Sequence, residues 1–492
     1  MDKKLSSSAY ILVGSMLFGL FFGAGNLIFP VQLGQLAGLQ TPLATFGFLI
    51  AAIGIPFLGV VAIGMSQSDG LFELAKRVHP AFGYGMTILL YLTIGPFFAM
   101  PRTGTVSYEV GLAPYIPAKW QALALALFTS LFFLVALWFA LRPGKILVYV
   151  GKILNPLFLC ILAILILASF LFPMVDISPT IIADKYQATP FFSGFLEGYN
   201  TMDGLAALGF GIIIIATLKS LGVTSPKGIA LGTVKAGFVS VLLMAVIYSC
   251  LAYIGATSVE LIGISPNGGN ALALIAKHYF TSVGSVLLAL IITLACLKTA
   301  IGLISACADT FHGLFPKVAS YKGFAIFFAV FGATVANIGL TQIIELAIPM
   351  LMFLYPLAIA LIITGITSPL FKHRTIVYKT TILFTFFVSV ADMFKAIQNS
   401  PYIVDAYTQF TRYCTENFSF CSSLADWLPE PITTLSFATQ YINFCQNHLY
   451  FFDLGMGWVI PCLIGYGIGL VLAFLSPKKE GLPPQVHVVS PQ

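Results

Sequence analysis

Two short stretches bring polar and glycine residues into an otherwise apolar chain. Phe22-Gly23-Ala24-Gly25-Asn26, followed by Phe29-Pro30, interrupts the first hydrophobic segment, and Gly198-Tyr199-Asn200-Thr201-Met202-Asp203-Gly204 interrupts the sixth. Non-helical backbone at membrane depth leaves N–H and C=O groups without partners, at several kcal/mol each. It survives only where protein or a cavity satisfies it. Each break is therefore a candidate binding site, and paired breaks in corresponding halves are the sequence mark of a secondary transporter.

The elements that must hold these breaks are apolar. Hydrophobic residues make up 59% of 492 and charged residues 9%, against about 25% charged in a soluble domain. The chain reads as an all-α polytopic membrane protein in contact with the lipid bilayer, not as a soluble domain with one anchor. Its net charge of +6 comes from basic residues scattered through short loops and gives no basis for nucleic-acid binding. A spanning helix needs roughly 20 apolar residues. Twelve segments qualify: 9–36, 43–66, 84–110, 120–140, 147–172, 194–220, 228–256, 282–311, 324–340, 342–366, 376–396 and 455–476. The first reads as a retained helix, because no small-residue cleavage site follows it.

With the N-terminus in the cytoplasm, most Lys and Arg, among them Lys76, Arg77, Arg142, Lys317, Lys372 and Arg374, fall on the cytoplasmic side. Only Lys119, Lys185, Lys277, Lys395 and Arg412 fall outside. This asymmetry predicts cytoplasmic termini and an even number of spans. The one long polar stretch, 397–453, reads as an extracellular loop between the last two helices. It holds Cys414, Cys421 and Cys445, an odd number that allows at most one disulfide among them. Cys160, Cys250, Cys296, Cys307 and Cys462 read as small apolar residues inside segments.

Residues 9–172 and 194–366 each hold five segments and each open on a broken one. Five is odd, so the second block enters the membrane the opposite way round. This predicts an inverted-topology repeat with its site at the midplane. Residues 376–476 then add helices 11 and 12.

Charges inside the spans mark sites or pathways. Asp203 reads as a ligand for an ammonium or a cation, as part of a gate, or as a cap on the second half-helix. Arg102 reads as the partner of Glu109, seven residues on, or of Asp203, in a structural pair or an outer gate. Lys298 lies deep in the eighth segment. The six histidines are dispersed, no metal-ligand spacing or nucleophile elbow is present, and the charged ring of a channel is missing. No P-loop occurs, which points to an ion gradient and not an ATPase subunit as the energy source.

The chain resembles the branched-chain amino acid:cation symporter family, the bacterial system II carriers of leucine, isoleucine and valine. The resemblance rests on Phe22-Gly23-Ala24-Gly25-Asn26 with Phe29-Pro30, on Gly95-Pro96 with Pro101-Arg102-Thr103-Gly104-Thr105-Val106-Ser107-Tyr108-Glu109, on Gly198-Tyr199 with Thr201-Met202-Asp203, and on Ala295-Cys296-Leu297 with Thr299-Ala300-Ile301-Gly302-Leu303. It implies a LeuT-type fold in a bacterial inner membrane, alternating access, no cofactor, and an amino acid as the small-molecule substrate. It implies that Ala24 and Gly25, beside Gly23, offer backbone N–H groups to the substrate carboxylate, where glycine leaves room for close approach. Carbonyls from Tyr199 through Asn200 and Thr201 to Met202 would take the ammonium, Met202 and Phe210 would line the side-chain pocket, and Tyr108 would cover the carboxylate. One sodium ion would lie near Asn26, Phe21 and Thr201, and another between Gly19, Phe22, Ala295 and Thr299. Lys298 departs from the resembled pattern, which more often has Thr or an apolar residue there. The departure leaves two readings open: sodium coupling with Lys298 in a wet crevice, or a carrier of apolar amino acids such as methionine in which a proton or the fixed amine replaces sodium.

Overall fold

The computed structural model describes residues 5–142, 146–177, 182–223, 225–280, 282–406, 408–409 and 436–475. Regular structure among the described residues is helical throughout. The first half holds α1 (Ser7–Phe21), α2 (Ala24–Ala37), α3 (Thr41–Leu49), α4 (Ile55–Ser66), α5 (Leu71–Lys76), α6 (Pro80–Leu92), α7 (Ala99–Gly111), α8 (Gln121–Ala140) and α9 (Ile146–Leu171). The second half holds α10 (Asp184–Ala188), α11 (Pro190–Tyr199), α12 (Asp203–Ser220), α13 (Pro226–Ile262), α14 (Gly268–Tyr279), α15 (Ser282–Leu314), α16 (Tyr321–Ala336) and α17 (Leu340–Thr367). After these come α18 (Thr375–Gln398), α19 (Ser436–His448) and α20 (Val459–Leu475).

Among the described residues, seven helical spans are long and apolar enough to cross a bilayer, or eight if the bent pair within α12 counts as one. Four shorter apolar helices accompany them. The lipid-facing surface is visible directly. Leu123, Leu127, Leu131 and Leu134 are all more than half exposed on α8 at helical spacing. Such an apolar stripe is stable only against hydrocarbon or a partner. The chain is a multi-pass membrane protein.

Both halves of each broken span pack against one partner: α1 and α2 lie on α13, while α11 and α12 lie on α3 and α4. Small residues bring these backbones together, as they do where lipid removes the hydrophobic drive between helices. A Cβ on Gly34 would run into the Ala252 carbonyl, and one on Gly194 into the Ala44 carbonyl.

The structure departs from the expected segments at two places inside spans. Segments 43–66 and 84–110 carry wide π-type turns, Ile50–Gly54 and Thr93–Phe97. Pro56 and Pro96 have no N–H for the helical ladder, so the chain widens there. Besides the short α5 and α10, two helices of more than ten residues lie outside the expected segments. Gly268–Tyr279 is amphipathic, with Lys277 and His278 in its last turn. The stretch 397–453 is also not simply a loop, because α19 lies in it and packs against α18 with Ala438, Ile442 and Cys445 buried. Cys445 is a free thiol. Arg412, Cys414 and Cys421 lie outside the described residues.

Candidate functional site

The first break forms because α1 stops at Phe21. Phe22 closes it by donating its N–H to the Phe18 carbonyl, and Gly23 is extended (φ −124°, ψ −167°) before α2 begins at Ala24. Gly23 N–H does not continue the helical ladder but donates to Asn26 Oδ1 at 3.0 Å. A fresh helix N-terminus therefore opens at Ala24 and Gly25, with the partial positive charge such an end carries. The second break follows Tyr199. Met202 takes a left-handed conformation (φ 62°) and α12 starts at Asp203. That conformation costs a side-chain-bearing residue roughly 1–2 kcal/mol, so the turn is held by its surroundings. Thr201 Oγ1 donates to the Gly198 carbonyl at 3.0 Å and accepts the Asp203 N–H at 3.4 Å.

The two breaks meet. The Asn26 amide donates to Asp203 Oδ2 and to the Tyr248 hydroxyl of α13. Arg102, on α7, donates from Nη1 to the Asn200 carbonyl at 2.7 Å, and its guanidinium lies over the Phe29 ring at 5.0 Å. A Cβ at Gly25 would stand 3.6 Å from Arg102 Nη2, so the cation lies beside the first break as well as the second. Arg102 is 3% exposed and Asp203 5%. Each feels the other's charge, yet among the described residues they form no direct ion pair; those present are Lys76–Glu73, Lys185–Glu197 and Lys395–Asp453. A buried guanidinium from α7 and the buried carboxyl group that opens α12 thus lie where the two breaks meet, Arg102 bonded to the second break and Asp203 to the first.

Aromatic rings close the site. Tyr199 stacks on Tyr355 of α17, with centroids 4.0 Å apart and planes within 7°. Phe22 stacks on Tyr248. On the α15 side, Thr299 Oγ1 donates to the Ala295 carbonyl at 3.2 Å, and a Cβ on Gly23 would stand 3.7 Å from Thr299. Lys298 is half-buried beside Thr299, at the midpoint of α15.

Gly23, Ala24, Gly25, Asn26, Asn200, Asp203 and Arg102 come together, with Thr201 and Met202 in the same turn and Thr299 beside Gly23. Glu109 does not join them. Its carboxylate accepts from the Asn270 amide at 2.5 Å, on the helix α14 that hydropathy did not reveal. Arg102 makes its direct bond to a carbonyl, since helix spacing sets the face a residue occupies but not the group it meets. Tyr108 turns away, donating its hydroxyl to the Gln121 carbonyl at 3.0 Å. Phe210 lies two turns into α12, edge-on to Tyr91. Asp203 is not the cap of α12; Met202 holds that position and Asp203 is the first helical residue. Sequence reading missed Phe29 as the ring under Arg102, and it missed Tyr248 and Tyr355. An isolated tyrosine in an apolar run was the available signal.

Residues 6–430 match the family described as branched-chain amino acid transport protein. The branched-chain amino acid permease BrnQ of Bacillus subtilis is 41% identical over 481 residues, covering 98% of this chain and 100% of that protein. BrnQ of Lactobacillus delbrueckii subsp. lactis is 46% identical over 81% of this chain and 89% of its own. The branched-chain amino acid transport system 2 carrier protein of Pseudomonas aeruginosa is 37% identical over 96% and 97%. Among solved structures, Mhp1, a nucleobase-cation-symport-1 family transporter in a closed conformation with bromovinylhydantoin bound, superposes with a TM-score of 0.55. It is 13% identical and covers 79% of this chain and 87% of its own, a likeness of fold alone. With two broken helices meeting at a buried charged site, the chain belongs to the branched-chain amino acid transport protein family.

Proposed function

We propose that this chain carries leucine, isoleucine and valine across a bacterial cytoplasmic membrane by alternating access, driven by a cation gradient. The observation that carries the reading is the separated pair Arg102 and Asp203. A free amino acid is a zwitterion with an aliphatic tail. Its carboxylate suits the Ala24–Gly25 helix start together with the Arg102 guanidinium, and its ammonium suits Asp203 and the carbonyl end of α11. In a dry site these charge-assisted bonds are stronger than in water and leave no ion uncompensated once the substrate is bound.

The architecture in this reading is twelve spans with both termini cytoplasmic. The blocks 9–172 and 194–366 are inverted repeats, followed by 376–476. Its support is the packing: the first broken span against α13 and the second against α3 and α4 is the exchange of partners a two-fold repeat produces.

The cation is sodium, held where the end of α1 faces Thr299 and Ala295, with Gly19 and Phe22 carbonyls completing the oxygen set. A second reading is favoured by the position of Lys298 beside Thr299, where its ammonium would stand in for the ion. Radiolabelled leucine uptake into proteoliposomes, with sodium and pH gradients imposed separately, decides between them. Sodium-driven uptake in wild type and Lys298→Thr supports a sodium symporter. Proton-driven uptake that becomes sodium-dependent in Lys298→Thr supports the fixed amine. No leucine uptake under either gradient overturns the proposal.

A further inference from the structure

A cavity of about 420 Å³ lies apart from the two breaks, between α17, α18, α11 and the turn before α20. That volume is in the range of about 300–1,000 Å³ typical of small-molecule pockets. One wall is apolar, formed by Leu196, Ile348 and Met352, and the charged lining is Asp392 and Lys395 from α18 with Glu345 and Asp453. Asp392 is 1% exposed, and among the described residues neither of its carboxylate oxygens has a hydrogen-bond partner. A carboxylate buried without a donor is costly, and inside a membrane protein such a group marks a site by default. The nearest amine does not bond to it. Lys395, one turn along α18, donates to Asp453 Oδ1 at 3.0 Å and to the Phe452 carbonyl at 3.3 Å.

We infer that this cavity is a second binding site for an apolar α-amino acid, with the ammonium on Asp392 and the aliphatic side chain on Leu196, Ile348 and Met352. The ligand's carboxylate meets Lys395. That lysine's partner Asp453 is 72% exposed, and an ion pair open to water is weak enough to exchange for another anion. The inference rests on the proposed substrate class and adds a site to it. The cavity adjoins the central site through α11. Leu196, which lines the cavity, lies one helical turn before Tyr199 and Asn200, and the Asn200 carbonyl is the group that Arg102 holds. An amino acid seated here presses on the half-helix that frames the central site, which suits a staging post one step short of the buried charges.

Equilibrium binding of radiolabelled leucine to the purified full chain in nanodiscs tests the inference by stoichiometry. The expected result is two sites in wild type, one in Asp392→Asn, one in Asp203→Asn and none in the double variant. Met352→Trp fills the cavity without touching a charge and is expected to lose the same single site. All four variants are checked by size exclusion and thermal unfolding. A single site in wild type, lost in Asp203→Asn and kept in Asp392→Asn and Met352→Trp, overturns the inference and leaves the central site standing. No leucine bound in wild type overturns both.

Discussion

The side-chain amide of Asn26 donates to the carboxylate of Asp203, joining two residues 177 positions apart, one in each broken helix. The same amide donates to Tyr248. One polar side chain therefore sets the spacing of the two breaks, and its loss strands an anion and a phenol in a dry interior.

Replacing Asn26 with Ala is expected to destabilise the protein by about 1–3 kcal/mol, the cost of leaving buried partners unsatisfied. Leucine binding weakens with it, because Asp203 loses its orientation. Thermal unfolding and leucine affinity check this together; unchanged values for both would mean that the bridge is incidental.

Asp203→Asn keeps the shape and removes the charge. Leaving the substrate ammonium without its anion costs about 2–5 kcal/mol, so leucine affinity is expected to fall by roughly 30-fold or more. Arg102→Lys keeps the charge and loses the planar fork that reaches the Asn200 carbonyl while lying on Phe29. About a tenfold loss is expected, with the protein still folded. Both are read from leucine saturation curves.

The stack of Tyr199 on Tyr355 separates ring from hydroxyl. The Tyr355 hydroxyl lies by Thr201 and Gly204 of the second break, so Tyr355→Phe, which keeps the ring and the stack, is expected to cost no more than about 0.5–1.5 kcal/mol, the net worth of one hydrogen bond. Tyr355→Ala removes the stack, about 0.5–1.5 kcal/mol, and opens a cavity, for a total near the 3–5 kcal/mol seen for large aromatic truncations. Melting curves of the two variants in the same lipid compare them.

At the end of the bundle near the α17–α18 turn, Arg77 gathers the Ser66 carbonyl, Ser368, His373 and Tyr378. Burial, and then the Arg77 charge, push the His373 pKa below its ordinary 6.5. The folded chain keeps His373 neutral where the unfolded chain takes a proton. Its contribution is therefore complete above pH 6.5 and is lost as pH falls through the lowered folded value. Unfolding temperature is expected to drop on acidification through 6.5 in wild type and to flatten there in His373→Gln. Equal slopes would remove His373 from the account.

The parts of this molecule readable from sequence are those where composition breaks its own rule. Glycines and Asn26 in one apolar run, and Asp203 in another, stand out because membrane helices have no ordinary use for them. The π-turns at Ile50–Gly54 and Thr93–Phe97 did not stand out, since a proline in a span kinks it in several ways and the surroundings choose. Glu109 was legible as a carboxylate inside a span, but its partner Asn270 sits on an amphipathic helix that hydropathy passes over. Tyr248 and Tyr355 read as packing because a ring in an apolar helix usually packs; only the three-dimensional structure shows that the Tyr248 hydroxyl meets Asn26 and the Tyr355 face meets Tyr199. Asp392 lay in a span and drew no notice, because nothing in its neighbourhood along the chain distinguishes it from a helix-end carboxylate.

In the proposed carrier, Arg102 and Asp203 hold a zwitterion between the two breaks. Competition against radiolabelled leucine at the central site tests it most directly, using Asp392→Asn protein and two leucine analogues, one lacking the carboxylate and one lacking the ammonium. Unlabelled leucine is expected to displace the label, while both analogues fail at concentrations at least tenfold higher. Displacement by either analogue at leucine's own concentration would contradict it.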